Sequence, residues 1–269
     1  YGFRPAQLNR DFDYESVTDN QLRTLAHIGL FSKSLVTDHP VDHPPVEQLS
    51  RITSPFDSAA SLTDRARSYL HVNCGTCHRR GGGGTASIQL VETLSLHDTG
   101  LVARPTQGTF GIVDPWIVAV GDPGRSVLYY RMSKLGRGRM PHFGSQTVDD
   151  DGINLIHDWI SQLEDPAAEV LSADAAQLQV ITESVLDALQ TPIAAKKYSR
   201  QVVVDRLLSS TTGALTLATA VRGHDDSQLA PDSRSVAMSR GSRHPDAAIR
   251  DLFEPFLPEQ ARVRRLGNT

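Results

Sequence analysis

Residues 68–84 read SYLHVNCGTCHRRGGGG, and the run Cys74-Gly75-Thr76-Cys77-His78 at their centre decides how the rest of the chain is read. Cys74 and Cys77 are the only two cysteines, so a framework of structural disulfides is excluded. Cys-x-x-Cys-His is the attachment pattern of c-type haem. Two thiols on one turn can each form a thioether to neighbouring vinyl groups on one edge of a macrocycle. The next residue is then carried under the iron, which makes His78 the expected proximal ligand. The expected cofactor is one covalently bound haem c. Two other chemistries use such a pair. A thioredoxin-like dithiol wants a preceding strand and a following helix, whereas Arg67 to Leu70 reads as the end of a helix and Gly81 to Gly84 follow the histidine. A structural zinc site wants four ligands, usually with a second pair of thiols, and no such second pair exists.

An electron-transferring haem needs a second axial ligand, and the chain has three methionines. Met140 ends the glycine-rich segment Gly136-Arg137-Gly138-Arg139-Met140-Pro141, an irregular loop stiffened by Pro141. Met132 lies in Ser126–Met132, which reads as a helix where methionine usually packs, and Met238 lies in a remote polar stretch. Met140 is therefore the expected distal ligand, with His142, Met132 or an open sixth position as the alternatives. His/Met ligation raises the reduction potential, which suits an electron acceptor. An open position would instead suit a haem enzyme or gas-binding protein.

The flanks agree with a haem domain. Leu62, Ala66, Tyr69 and Leu70 share one face of a helix over Leu62 to Asn73 that opens with Thr63-Asp64. After Met140, Asp149-Asp150-Asp151 offers an N-cap and dipole-matched charge. Ile153, Ile156, Trp159, Ile160 and Leu163 form the stripe of the helix that follows. Between His78 and Met140 lies a long span. The alternation in Ile88-Gln89-Leu90 and in Gln107 to Val113 predicts short strands, in an insertion folded over one haem edge. Trp116, Arg104 and Arg139 are candidates to contact haem propionates, surface solvation being the plainer reading of the arginines. Asp122-Pro123-Gly124 opens the helix that carries Tyr129 and Tyr130, and Tyr130 is counted with Tyr69 among the residues beside the cofactor.

A helix leading into Cys-x-x-Cys-His, a methionine loop, then a helix with an aromatic resembles the class I cytochrome c fold. The resemblance implies that the first and last helices cross beside the haem, with Tyr69 and Trp159 near the crossing. Two blocks carry a narrower likeness: Ser68 to His78 with its trailing glycines, and Gly121-Asp122-Pro123 through Met132 to Gly138-Arg139-Met140-Pro141. They resemble multidomain c-type cytochromes of planctomycete type, often joined to a sugar-dehydrogenase-like propeller that uses PQQ. Gln7 to Phe12 with Asn20 to Leu22, and Ile249 to Pro258, resemble linkers to neighbouring haem domains. The likeness implies an extracytoplasmic, periplasmic setting. It also implies redox partners: a dehydrogenase, PQQ-dependent in such company, and another cytochrome domain.

The bulk numbers bound the rest. The chain has 269 residues, 39% apolar and 22% charged, with a net charge of −4. No basic footprint for nucleic acid is present, and no apolar run approaches the length of a membrane span. With Tyr1 in place of a starting Met, the chain reads as a piece of something longer. Residues 1–60 are expected to wrap the haem domain, His27, His39 and His43 being surface residues. Residues 61–165 form that domain. Residues 166–269 make a small helical extension over windows 173–190, 199–221 and 245–257, with Ser227 to Ser242 as a mobile loop and Ser209 to Thr212 as a polar cap. The expected class is mainly α: a class I cytochrome c-like domain with a long inserted loop and largely helical extensions, acting in electron transfer rather than as an enzyme in itself.

Overall fold

The computed structural model describes residues 5–30, 49–143, 146–164, 172–190, 199–223 and 229–262. The chain is mainly α. Helices α1 (Pro5–Leu8) and α2 (Gln21–His27) flank a two-stranded antiparallel hairpin of β1 (Asp11–Asp13) and β2 (Thr18–Asn20). The side chain of Asn20 caps α2 by accepting from the Leu22 and Arg23 amides. Asn9 ties this unit to Leu49 through a 2.9 Å bond to its carbonyl. His27 is exposed at the end of α2, while His39, His43 and the prolines around them lie outside the described residues.

Helix α3 (Leu62–Asn73) opens at Ser61, whose Oγ accepts from the Asp64 amide. It packs across α5 (Asp150–Ser161), capped by Asp149. At the crossing a Cβ on Gly152 would fall 2.2 Å from the Tyr69 hydroxyl oxygen, so only glycine lets the two helices meet there. The same hydroxyl donates to Asp149 at 2.8 Å, so the residue that caps α5 also receives α3. Short helix α4 (Val127–Met132) packs against α5, and Trp159 is fully buried with Ile153, Ile156 and Ile160.

The strands expected in Gly81 to Trp116 are absent; that segment holds turns and one 3₁₀ turn, His97–Thr99. Paired backbone bonds do start, as in Gln89 N–H to Thr99 O at 2.8 Å and Val118 N–H to Leu101 O at 3.0 Å. Left-handed backbone at Gly100, Gly108, Phe110, Gly111 and Asp114 turns the chain before a ladder extends.

The C-terminal helices are α6 (Ala173–Gln190), α7 (Arg200–Leu207), α8 (Thr211–Arg222), α9 (Pro231–Gly241) and α10 (Ala247–Phe253). Ser210 is the N-cap of α8, its side chain accepting from the Gly213 amide. The mobile loop expected over Ser227 to Ser242 is instead mostly α9. Its buried face is Ser233, Ala237 and Gly241, small residues at four-residue steps that present no large apolar side chain to read. No helix among the described residues is long and apolar enough to cross a membrane.

These helices share one apolar cluster with the α3–α5 layer. The Tyr129 hydroxyl shares a 2.8 Å hydrogen bond with Thr219, and Tyr130 donates to Ala248 O at 2.8 Å. Lys134 Nζ lies 3.3 Å from Asp251 Oδ2, each side chain 2% exposed. Lys134 also donates to Arg137 O at 2.9 Å. Breaking a buried pair strands one charge, whereas replacing both partners by apolar groups does not. Asp251→Ala is therefore expected to cost about 3–5 kcal/mol in denaturant unfolding, and the double variant Lys134→Met, Asp251→Leu to recover most of that loss.

Candidate cofactor cleft

Helix α3 ends at Asn73, and Cys74 is its C-cap. The Cys77 and His78 amides both bond back to Cys74 O, at 3.1 and 2.9 Å, so two thiols and an imidazole are gathered on one turn. The turn is pressed against the insertion. Leu90 N–H donates to His78 O at 2.7 Å, and a Cβ on Gly75 would meet Leu90 O at 2.5 Å and His71 O at 2.6 Å. A Cβ on Gly84 would lie 2.8 Å from His78 Nδ1, a buried nitrogen with no hydrogen-bond partner. Burial holds His78 below its ordinary pKa, and the charges of Arg131 and His142 act in the same direction. The neutral imidazole, the form that ligates metals, is thus favoured.

Met140 arrives from the other flank of the insertion. Its amide donates to Arg131 O at 3.0 Å, and the Arg131 side chain donates from Nε to Gly138 O at 2.8 Å. The Met140–Pro141 bond is cis. Cys74, Cys77, His78 and Met140 line a single cleft of about 290 Å³, walled by Ile88, Leu90, Ile117, Val127, Leu128 and Met132. His142 and Phe143 also line it, and both are exposed. A second cleft of about 250 Å³ between α5, α6 and α8 holds neither thiol nor methionine.

The other expected site residues distribute unevenly. Tyr69 and Arg139 lie beside Cys74 and Met140 around a smaller recess of about 120 Å³. Arg139 is buried and donates to Thr147 O. Trp116 and Arg104 do not line the cleft. The Arg104 guanidinium stacks over Trp116 at 4.2 Å and pairs with Asp114, which also binds buried Arg125 at 2.7 Å. Tyr130 too lies outside the lining, its ring 5.1 Å from that of Phe110. The sequence reading missed Arg131. It lies one turn after Val127 and Leu128 on α4.

The donor set fits a c-type haem. Both thiols are free and half-buried, His78 Nδ1 is buried without a hydrogen-bond partner, and Met140 lines the same apolar-walled cleft. A zinc site fits less well: among the described residues no three His, Cys, Asp or Glu side chains are arranged so that together they could hold a metal ion. No family model, no curated protein and no solved structure matches this chain.

The contact at Gly84 is testable against its neighbour. A Cβ at Gly83 would meet nothing within 4 Å. Gly84→Ala should therefore lower stability by about 1–3 kcal/mol as the His78 ring is forced aside. Gly83→Ala should stay within about 0.5 kcal/mol. Thermal unfolding of the two variants side by side reads the difference.

Proposed function

We propose that the protein transfers single electrons through one c-type haem, in a domain of class I cytochrome c type. The convergence of Cys74, Cys77, His78 and Met140 on one cleft carries this reading. When bound, the haem supplies an iron that alternates between ferric and ferrous. Cys74 and Cys77 would hold it through thioethers, and His78 and Met140 would supply its iron ligands. The apolar walls exclude water, and the hydrogen bonds of Arg131 to Gly138 and Met140 keep the methionine loop in place.

A redox dithiol is less well supported. Burial, with Cys77 alongside, pushes the Cys74 thiol up to about 12. A thiol there is almost wholly protonated at neutral pH, and only the thiolate attacks. The resemblance to planctomycete-type multidomain cytochromes extends the proposal: an extracytoplasmic domain taking electrons from a dehydrogenase, PQQ-dependent in that company, and passing them to another haem.

Protein matured with haem-attachment machinery should give the pyridine haemochrome of a doubly thioether-linked haem. Its oxidised form should show the near-infrared methionine-to-iron band, lost in Met140→Ala. Colourless protein with both thiols open to alkylation would end the proposal, and a high-spin resting spectrum would favour an open-site haem enzyme instead.

A further inference from the structure

The cleft holds, among its described lining residues, one strong cation and no carboxylate to neutralise it. Among its described lining residues Arg131 is the only lysine or arginine, and there is no aspartate or glutamate. The other arginines nearby are otherwise engaged or placed. Arg104 and Arg125 share Asp114, Arg139 faces Thr147 in the smaller recess, and Arg79, Arg80 and Arg137 are exposed outside the lining. Arg131 is partly buried, and its known contacts are to neutral groups. Nε donates to Gly138 O at 2.8 Å, and the guanidinium stands over the Phe110 ring at 5.3 Å. Desolvation already pulls its pKa below the ordinary arginine value. A partly desolvated guanidinium is stabilised by an anion that its planar fork can grip with two parallel hydrogen bonds.

We propose that Arg131 is the anion-recognition residue of the cleft and pairs with a haem propionate. This rests on the haem reading above. One side chain then serves both ends of the site, with Nε holding the methionine loop through Gly138 O and the terminal nitrogens facing the carboxylate. A fixed positive charge beside the cofactor disfavours the ferric state, so Arg131 also raises the reduction potential.

The test uses the matured full chain, with Arg131→Gln and Arg131→Lys. Glutamine can still donate to Gly138 O but carries no charge; lysine keeps the charge and loses the fork. In Arg131→Gln the near-infrared methionine band should persist, the midpoint potential should fall, and the propionate bending mode in the resonance Raman spectrum should move to lower wavenumber. In Arg131→Lys the potential should stay near that of the unmutated protein while the bending mode still moves, so this variant decides the matter if the glutamine variant does not mature. An unchanged bending mode in either variant overturns the proposal. Loss of the methionine band in Arg131→Gln also overturns it, because Arg131 would then act only on the loop. A lack of covalent haem in the unmutated protein is a different failure, that of the haem reading itself, and is seen before any variant is compared.

Discussion

Everything around the cleft is hung from the place where α3 and α5 touch. The Tyr69 ring occupies the space a side chain on Gly152 would need, and its hydroxyl binds the carboxylate that caps α5. The two helices are the immediate neighbours of the two halves of the site. The thiol turn begins where α3 stops, at Cys74, and the methionine loop runs out toward Asp149, where α5 starts. One steric contact and one hydrogen bond thus fix the separation of donors that lie far apart in sequence. Tyr69 is an exacting residue for the purpose: burial and the Asp149 carboxylate both push its pKa up, so it remains a neutral donor.

The features legible in the sequence were those with local causes. The apolar face at Leu62, Ala66, Tyr69 and Leu70 and the acidic start at Asp149 delimit α3 and α5, because periodicity and capping act within a few residues. The gathering of Cys74, Cys77 and His78 on one turn was legible for the same reason, and the irregular loop at Met140 because glycines and a proline exclude a helix around it. What stayed hidden depends on distant partners. Trp116 and Arg104 read as cofactor contacts, but Asp114 and Arg125 take them into a knot of their own. Burial works to raise the Asp114 carboxyl, and the guanidiniums of Arg104 and Arg125 outweigh it. Arg131 was invisible in the opposite sense, since an arginine on a short helix announces nothing until the described lining around it is seen to hold no carboxylate.

The C-terminal helices bear on the site through the same long-range contacts. Thr211 donates to Phe110 O at 2.8 Å, so α8 holds the insertion at the point where Phe110 stands under Arg131. Lys134, Tyr130 and Leu135 connect the segment just before the methionine loop to α10. The insertion and the loop are therefore gripped from behind by helices whose own sequence carries none of the site's chemistry. The expected extension packs behind the insertion and the methionine loop, and none of its described residues lines the cleft itself.

The packing at Gly75 narrows which proteins could share this architecture. Two positions, Gly75 and Thr76, separate the paired thiols. Here the carbonyls of His71 and Leu90 close over the first of them, while Thr76 remains half-exposed. Of the two spacer positions, the first has no room for a side chain and the second is half-exposed. A chain with a bulkier first spacer must route its insertion differently, so a single letter of the motif records how the insertion lies against it.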